Sequence, residues 1–544
     1  MSATFWNNIR RRKHNFAHEE GHALHRVLGV RDLTFLGIAA IIGGGIFSSV
    51  GKACAAGGPG VILLFIICAV ACGFAAMCYA EFASRIPVAG SAYTYAYASF
   101  GELFAWIIGW ALLMEYSIGN IYVAFSWSGY FTHLLENLGL HLPAWVITDY
   151  KSAAGAANGS LKDAQALAAW KTAPIFGGLR IILDLPALFI NVIITWLVYT
   201  GIKESRNASN IMVMIKIAVI ILVIGVGFFY VDTAQLTPFM PKGFSGVMAG
   251  VSAVFFTFIG FDAVSTMAEE TKNPQRDLPR GMFYSLLICT VLYVLISLVL
   301  TGMMPYDQLG VDDPLATVLQ YNGIKWLEYL VSISAVVAMA SVLLVFQMGQ
   351  PRIWMSMSRD GLLPKKFSEV HPKYKTPGFS TIITGLVVGI PILFTDENFV
   401  LDFTSIGTLF AFVLVCGGVL LLPPREREQG AYHLPFISSR MYFPILLVSA
   451  VLLITFFAPD FWVEQIHHIP SLIYALVMLI LLVFSMVKNW NLIPVLGLAT
   501  CLYLLTGMTA NNWLWFFIWF AIGLVVYFLY GYKRSKLRHG KEGK

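Results

Sequence analysis

The chain has 544 residues, of which 58% are hydrophobic and only 12% are charged. An ordinary globular chain carries about 25% charged residues, so this composition excludes a soluble protein and indicates a membrane protein. The net charge of +6 does not indicate nucleic-acid binding, because the basic residues are spread over many segments rather than gathered in one stripe. The seven cysteines lie almost all inside apolar runs, which argues against a disulfide or zinc framework.

The first 32 residues are polar and basic, and we predict that they form an N-terminal tail in the cytoplasm. Within this tail, His18 and His22 fit the HExxH pattern, in which two histidines bind zinc and the glutamate acts as a base. A solvated helix beside the membrane explains the same residues, because Gly21 weakens the motif and no third ligand follows at a recognised spacing. An intramembrane or membrane-tethered zinc metalloprotease is the alternative from a different class of function.

Runs of about 20 apolar residues indicate membrane-spanning helices, because a helix of that length crosses the hydrocarbon core. The sequence contains fourteen such runs. They are residues 33–56, 59–84, 102–131, 185–203, 207–231, 246–269, 281–304, 326–350, 379–395, 401–422, 441–458, 470–487, 490–508 and 512–532. The expected fold class is therefore an all-α polytopic membrane protein.

The Lys and Arg residues predict which side of the membrane each loop faces. With the N-terminus inside, 28 of the 36 basic residues fall on the inner side and 7 on the outer side, while Lys216 lies within a span. Inner loops of membrane proteins carry this excess of Lys and Arg. The pattern predicts an even number of spans in a cytoplasmic membrane, with both termini in the cytoplasm.

Three consecutive glycines, Gly43, Gly44 and Gly45, lie near the middle of the first span. In a helix they would cost roughly 2 to 3 kcal/mol relative to alanine. Close packing through small residues is one explanation, but consecutive residues do not share a helix face, so packing does not need all three. The other explanation is a helix break, which frees backbone N–H and C=O groups at mid-membrane to bind a polar solute.

The sixth span carries a second interruption, where Gly260 and Asp262 stand in an otherwise apolar run. A carboxylate at this depth costs on the order of 3 kcal/mol, so we expect it to face protein or water. Transporters with broken helices often carry two breaks at corresponding positions of two repeats. Because five spans separate the two interruptions, we predict two five-helix repeats of inverted topology, followed by four additional helices.

This organisation divides the chain into consecutive parts. They are a basic N-terminal tail (1–32), a first five-helix repeat (33–231) that includes a long outer loop (133–184), a second five-helix repeat (246–422), four additional transmembrane helices (441–532) and a basic cytoplasmic tail (533–544).

Two further charged residues lie deep in apolar spans. Lys216 is about ten residues, or ~15 Å of helix, from the inner end of the fifth span. Its stem reaches only ~6 Å, which is too short for the ammonium to snorkel to the interface. A buried ammonium is a candidate for reversible deprotonation, which is the chemistry of proton coupling. Glu115 is similarly deep in the third span, where it either fixes helix packing, lines a proton path or contacts a substrate side chain.

Several stretches resemble one family, the cationic amino acid transporter branch of the amino acid–polyamine–organocation superfamily. The similar stretches are residues 42–47, 79–95, 260–262 with 269–274, and 352–364. The resemblance covers about residues 30–420, and fourteen spans is also similar to that branch. It implies a LeuT-like inverted-repeat core with broken helices 1 and 6, and secondary transport of α-amino acids.

The resemblance also implies which residues hold the substrate. The substrate carboxylate would meet the backbone N–H groups of Gly43, Gly44 and Gly45, where the half-helix dipole favours an anion. The substrate ammonium would meet the backbone carbonyls of Ile41, Phe256, Thr257 and Ile259. Members that are similar here use a lysine in place of a sodium ion, and Lys216 matches that lysine. Its charged ammonium would hold the first and fifth helices together, and deprotonation would loosen them.

Two positions depart from the family pattern. Many relatives carry Thr or Ser where this chain has Gly44, so a hydroxyl contact to the substrate is missing. Thr257 in place of a smaller residue would narrow the pocket. The preference for cationic or neutral amino acids therefore stays open, and neither Glu115 nor Asp262 can be assigned to a side-chain pocket or a proton path from spacing alone.

We predict a transporter rather than an enzyme, namely a proton-coupled symporter of L-α-amino acids that works by alternating access. Inward movement of one positive charge gains about 2.3 kcal/mol per 100 mV, which is enough for accumulation. An amino acid facilitator or exchanger, in which Lys216 is a fixed charge, stays open within the same class. The expected partners are the amino acid and membrane lipid, the proton is the coupling ion, and no cofactor or metal is expected.

Overall fold

The computed structural model describes residues 11–13, 24, 26–161, 163–311, 313–395, 397–422, 431–457, 462, 469–508 and 510–538. Apart from one short β-hairpin, the regular elements of this described part are helices. The apolar runs of the sequence form these helices because a lipid-embedded backbone must satisfy its own hydrogen bonds.

The α-helices are numbered α1 to α21 in chain order. They are Val30–Ile41, Val50–Gly57, Val61–Arg85, Ala92–Ser99, Glu102–Asn137, Tyr150–Ala157, Ala164–Thr172, Leu185–Thr200, Ile202–Gly227, Gly243–Ala249, Val251–Phe258, Pro274–Met303, Pro314–Tyr321, Lys325–Arg359, Gly378–Ile392, Glu397–Val419, Ser439–Phe457, Ile469–Lys488, Leu492–Thr506, Ala510–Val526 and Tyr532–Arg534.

Tighter and wider helical turns connect several of these helices. The 3-10 segments are Gly58–Gly60, Ala144–Val146, Phe228–Tyr230, Thr233–Leu236, Phe261–Glu270, Tyr306–Gln308 and Lys365–Ser368. The π-helical segments are Gly45–Ser49 and Tyr527–Gly531. The strands β1 (Ile175–Phe176) and β2 (Leu179–Arg180) form an antiparallel hairpin.

Eight helices of the described part are long and apolar enough to cross a membrane. They are Val50–Arg85, Glu102–Glu136, Ser205–Tyr230, Pro274–Met303, Lys325–Arg359, Ser439–Phe456, Ile469–Lys488 and Asn512–Arg534. The shorter apolar helices are Leu185–Thr200, Gly378–Ile392, Ile406–Val419 and Leu492–Thr506. The prediction of an all-helical polytopic membrane protein is confirmed.

The spans differ in how far they are buried within the protein. In Glu102–Glu136, 83% of the most apolar window is buried, whereas in Ser439–Phe456 and Ile469–Lys488 only 11% is buried. Apolar side chains that are exposed along a spanning helix face lipid rather than protein. Helix α5 therefore lies at the centre of the bundle, and α17 and α18 lie at its edge.

The long outer loop folds into a small cap of its own. Helices α6 and α7 begin at Asp149 and Asp163, whose side chains accept hydrogen bonds from backbone N–H groups of the first turn. Alanines and tryptophans of this loop form a separate apolar cluster. Arg180 of the hairpin lies over the Trp170 ring, with 5.0 Å from its Cζ to the ring centroid.

Candidate functional site

The first interrupted helix bends at the glycines. Helix α1 ends at Ile41, and helical turns resume at Gly44, so residues 42 and 43 stand outside both halves. We call residues 42–45, which include all three glycines, the first break. Ile42 is extended, with φ −82° and ψ 100°. The carbonyl groups at the end of α1 consequently need partners from other helices.

The glycines of the first break also leave room for neighbouring helices. A Cβ on Gly43 would overlap the side chain of Val342, and a Cβ on Gly45 would lie 2.8 Å from Thr257 Cα. At Gly44 the nearest atom would be Tyr122 Cε1, at 3.3 Å. Both explanations of the triple glycine therefore apply, because the helix breaks here and the first and third glycines are closely packed.

A second interruption lies opposite the first. Helix α11 ends at Phe258, Ile259 is extended, and Gly260 adopts φ +116°, in the left-handed region that favours glycine. We call residues 259–260 the second break. A Cβ on Gly260 would lie 2.7 Å from Ala40 Cβ, so the two breaks pack directly against each other.

Lys216 reaches the first break from α9. Its side chain is fully buried, and its Nζ donates hydrogen bonds to the carbonyls of Ala39, at 3.1 Å, and Ile42, at 2.6 Å. A third bond joins Nζ to Ser341 Oγ on α14, at 2.8 Å. The ammonium thus joins α1, α9 and α14 at the point where α1 ends.

Tyr293 of α12, which the sequence analysis did not single out, connects the two interrupted helices. Its hydroxyl lies 2.9 Å from the carbonyl oxygen of Ile41 and 2.9 Å from that of Thr257. The side chain is fully buried. Because a hydroxyl has one hydrogen, it can make a full hydrogen bond to only one of these carbonyls at a time.

Three of the four carbonyls expected to hold a substrate ammonium therefore have other partners. Besides the two that share the Tyr293 hydroxyl, the carbonyl of Phe256 accepts a 3.3 Å bond from the Ile259 N–H. The Thr257 hydroxyl donates to the carbonyl of Val254 in its own helix, at 2.7 Å. Thr257 packs against Gly45 and directs no free hydroxyl hydrogen toward the gap between the breaks.

A small cavity of about 20 Å³ lies between the two breaks. The residues that line it are Ala40, Ile41, Gly43, Gly44, Gly45, Gly119, Val123, Phe256, Ile259, Val342 and Phe346. Six of the seven residues predicted for substrate binding are in this set, and Thr257 is not. Of the five other lining residues, Ala40 belongs to α1 and the rest come from α5 and α14, and none of the lining side chains is charged.

The two predicted acids lie near the cavity but do not line it. Asp262, just after the second break, accepts a 3.2 Å hydrogen bond from the Tyr116 hydroxyl, and the Tyr116 ring stacks on Phe346, with the ring centroids 5.4 Å apart. Glu115 precedes Gly119 by one helical turn. Within the described residues, both Glu115 carboxylate oxygens and Asp262 Oδ1 are buried without a hydrogen-bond partner.

Ion pairs join α14 to the segment that follows the second break. Arg352 of α14 makes a two-point contact with Glu270, through bonds of 3.0 and 2.7 Å, and both side chains are 1% exposed. Arg359 pairs with Glu269 through one nitrogen, Nη1, which donates to both carboxylate oxygens, at 2.7 and 2.8 Å. The stretches that carried the family resemblance at residues 269–274 and 352–364 thus meet in space.

The HExxH residues His18 and His22 lie outside the described residues. Among the residues that are described, no group of three or more His, Cys, Asp or Glu side chains could hold a metal ion.

A polar site built from two interrupted helices inside an all-helical polytopic bundle defines this protein as a membrane transporter. The chain belongs to the amino acid permease family: the family model described as amino acid permease matches residues 28–484, and a model for the C-terminus of such permeases matches residues 492–535. The family consists of transporters, so the prediction of a transporter rather than an enzyme is confirmed, and the metalloprotease alternative loses its support.

Several curated proteins are similar over nearly their full length. The chain is 40% identical over 517 residues to the branched-chain amino acid permease BcaP of Bacillus subtilis (strain 168), which covers 95% of each chain. It is 36% identical to the methylthioribose transporter of the same organism, over 96% of each chain. It is 30% identical to cationic amino acid transporter 4 of Homo sapiens, over 94% of this chain and 88% of that relative. The resemblance inferred from the motifs is confirmed.

Proposed function

We propose that this protein is a secondary active transporter that carries L-α-amino acids together with protons by alternating access. The observation that carries this proposal is the fully buried ammonium of Lys216, which donates to the carbonyls of Ala39 and Ile42. A cation at a helix break supplies a charge beside the binding site that loss of a proton would remove. An amino acid is the substrate class that the family implies.

The proposed architecture is a LeuT-like core of two inverted five-helix repeats, at 33–231 and 246–422, with four additional helices at 441–532. The eight long helices, the four shorter apolar ones and the two interrupted ones would together make fourteen crossings. An even number of crossings agrees with the excess of Lys and Arg in the predicted inner loops. We therefore assign the protein to the cell membrane with both termini in the cytoplasm.

The substrate carboxylate is proposed to bind the N–H groups of Gly43, Gly44 and Gly45. Two observations support this assignment. All three glycines line the cavity between the breaks, and helical turns resume at Gly44, so the first N–H groups of the outer half-helix have no helical acceptor. The positive end of a half-helix favours an anion.

The substrate ammonium is proposed to bind carbonyls on the other wall of the cavity, from Ile41, Phe256, Thr257 and Ile259. The Tyr293 hydroxyl contacts two of these, Ile41 and Thr257. An ammonium carries three hydrogens, whereas the hydroxyl carries one, so an ammonium can satisfy both carbonyls together. Tyr293 would then share these acceptors with the substrate.

Lys216 is proposed to couple substrate movement to the proton. When charged, its ammonium donates to two carbonyls of the first interrupted helix and contacts Ser341 of α14. Charge-assisted hydrogen bonds are about twice as strong as neutral ones, so loss of the proton would weaken all three contacts. Helix α1, the inner half of the first interrupted helix, would then separate more easily from α14. Glu115 is proposed to form part of the proton path, and Asp262, which accepts a hydrogen bond from the Tyr116 hydroxyl, is proposed to help hold the second break where the substrate binds.

The side-chain preference is proposed to be neutral and apolar. The cavity is lined by glycine, alanine, aliphatic and phenylalanine residues, and no carboxylate reaches it to pair with a cationic side chain. Burying an unpaired cation there would cost several kcal/mol. This chemistry agrees with the branched-chain substrates in the name of the Bacillus subtilis relative rather than with the cationic substrates in the name of the human one.

The test is uptake of a radiolabelled amino acid panel into proteoliposomes with a neutral interior and an acidic exterior, with and without a protonophore. We expect protonophore-sensitive accumulation of leucine-like or alanine-like substrates and little uptake of arginine or lysine. Saturable uptake that only equilibrates and ignores the protonophore would instead establish the facilitator or exchanger, with Lys216 as a fixed charge. Accumulation of arginine in preference to leucine would refute the proposed side-chain preference.

A further inference from the structure

The inner face of the protein contains a second group of buried charged side chains, separate from the substrate cavity. Glu102 is the first residue of α5, and Asp360 directly follows the last residue of α14. Their side chains are 2% and 5% exposed. These are the inner ends of the two helices that supply Gly119, Val123, Val342 and Phe346 to the cavity wall.

The Glu102 carboxylate is hydrogen-bonded to hydroxyl groups from three separate segments. Its carboxylate accepts hydrogen bonds from Tyr97 of α4, at 3.1 Å, from Tyr527, at 2.9 Å, and from Ser535, at 2.5 Å. Tyr527 and Ser535 follow the last long helix, α20. As the first residue of a helix, the carboxylate also lies where the helix dipole favours negative charge.

Asp360 accepts hydrogen bonds from the same segments and from the N-terminal tail. Its carboxylate accepts a bond of 2.5 Å from the Lys13 ammonium and one of 2.6 Å from the Tyr93 hydroxyl. Its backbone carbonyl accepts a 3.1 Å bond from the Lys536 N–H. Burial, together with the Asp360 carboxylate, raises the pKa of the Tyr93 phenol well above its ordinary value, so this hydroxyl stays a donor.

Further hydrogen bonds connect the N-terminal residues to α4, to α5 and to the C-terminal segment. The Glu102 N–H donates to the carbonyl of Arg11, and the Arg11 guanidinium donates to the carbonyl of Leu537, at 3.1 and 2.8 Å. The Lys13 N–H donates to the carbonyl of Tyr97, at 3.2 Å. We call residues 11–13, 527–538 and the two acids Glu102 and Asp360 the terminal clamp.

The last long helix holds the terminal clamp to α5. Trp110 of α5 and Trp519 of α20 stack with 4.9 Å between ring centroids, and each indole N–H donates to the other residue's carbonyl, at 3.0 Å. Trp106 donates a 2.9 Å bond to the carbonyl of Gly523. Reciprocal bonds of this kind fix one helix against another along about one and a half turns.

Helix α4 lies between the terminal clamp and the second interrupted helix. On one side, Tyr93 and Tyr97 bond to Asp360 and Glu102. On the other side, Ser265 of the segment Phe261–Glu270 donates to the hydroxyl of Ser91, at 2.7 Å, just before α4 begins. Helix α4 is thus held by the terminal clamp on one side and by the inner part of the second interrupted helix on the other.

We propose that the last helix and both terminal segments form a clamp that holds α4 against the inner half of the second interrupted helix and so keeps the inner side of the binding site closed. The proposal rests on the transport function proposed above, and it gives the C-terminal helix a role in gating. Release of the clamp would favour the state in which the site is open to the cytoplasm.

The test uses a reporter that does not depend on transport. Ala268→Cys introduces a thiol at a buried position of the segment Phe261–Glu270 and leaves the contact between Ser265 and Ser91 in place, and the native cysteines are buried, so the labelling of the parent protein gives the background. A membrane-impermeant maleimide is applied to the cytoplasmic face of inside-out vesicles. Adding Tyr527→Phe with Ser535→Ala removes two of the three hydroxyl donors to Glu102. We expect the labelling rate to rise about ten-fold, the population change that 1.4 kcal/mol produces.

The matched control is Tyr474→Phe with Ser485→Ala, which deletes the same two hydroxyl types on α18, away from the clamp. The proposal is overturned if the clamp variant is labelled no faster than this control. Should the clamp variant fail to fold, the milder Lys13→Ala removes one partner of Asp360 at the surface. It must raise the labelling rate in the same direction by a smaller factor, and an unchanged rate would overturn the proposal equally.

Transport kinetics measured separately at the outer and inner faces distinguish a failure of this proposal from a failure of the transport function. In proteoliposomes, the clamp variant should raise the half-saturation concentration for substrate added at the outer face by about ten-fold, without raising the value at the inner face, because fewer molecules face outward. Equal changes at both faces would refute gating by the clamp and leave the transporter intact. If the clamp variant is labelled faster than its control but the wild-type protein transports no amino acid, the transport function alone is refuted.

Discussion

The two breaks meet in the middle of the bundle but differ in the partners that other helices bring to them. At the first break, the carbonyls of Ala39 and Ile42 accept from the Lys216 ammonium, which carries a charge that loss of a proton would remove. At the second, the Thr257 carbonyl and the Asp262 carboxylate accept from tyrosine hydroxyls, which stay neutral. This difference supports the proposal that the first break couples transport to the proton and that the second positions the substrate.

The largest effect should follow from filling the first break. Gly44→Leu adds a branched side chain where even a Cβ lies 3.3 Å from Tyr122, so the side chain must occupy the cavity. We expect uptake to be abolished, while size-exclusion chromatography in detergent still gives a single folded species. Gly129→Leu on α5 is the control, because a Cβ there meets nothing within 4 Å, and it should transport normally. Full uptake by Gly44→Leu would remove the first break from the binding site.

Removal of the charge from the first break should give the next largest effect. Lys216→Ala leaves the Ala39 and Ile42 carbonyls without their charged donor, at a cost of about 1 to 3 kcal/mol each. We expect a folded, less stable protein that equilibrates substrate but no longer accumulates it in response to a pH gradient. The measurement is uptake against internal substrate concentration at several values of ΔpH.

Lys242 provides a matched control for that prediction. Its ammonium also donates to a carbonyl of the first interrupted helix, that of Ala55, at 2.9 Å, but at the exposed outer end. Lys242→Ala should therefore retain its dependence on ΔpH. If both lysine variants respond to ΔpH as the wild type does, Lys216 is a fixed structural charge and the coupling site lies elsewhere.

The difference between the breaks also shows which features of the site can be predicted from the sequence. The triple glycine, Gly260 and Lys216 stood out in the sequence because glycine runs and charges are costly at mid-membrane. Tyr293 did not, because a tyrosine in an apolar run is the ordinary composition of a spanning helix. The terminal clamp could not be predicted from the sequence either. Acids at helix ends are common, and Lys13 and Asp360 are 347 residues apart in the chain. Contacts that depend on tertiary packing leave no local pattern.

At the second break we expect a smaller effect. Asp262→Asn keeps a side-chain oxygen near the Tyr116 hydroxyl, which donates to the aspartate at 3.2 Å, but removes the buried charge. If the second break positions substrate, this variant should transport more slowly, by about ten-fold or less, and keep the ΔpH dependence of the wild type. A variant that accumulates substrate independently of ΔpH would make Asp262, rather than Lys216 alone, part of the coupling machinery. Glu115→Gln, one turn from the cavity on α5, distinguishes a proton path from a packing role by the same assay.

The smallest effect, and the most specific one, should come from Tyr293→Phe. This change removes the hydroxyl that contacts the Ile41 and Thr257 carbonyls, at 2.9 Å each, without opening a larger cavity. A buried carbonyl without a donor costs about 1 to 3 kcal/mol, so the melting temperature in detergent should fall. A substrate ammonium would restore those bonds, and the rise in melting temperature on adding substrate should therefore be greater for the variant than for the wild type. If the carbonyls do not bind the ammonium, substrate will raise both melting temperatures equally, and the ammonium site must then be sought among the other groups that line the cavity.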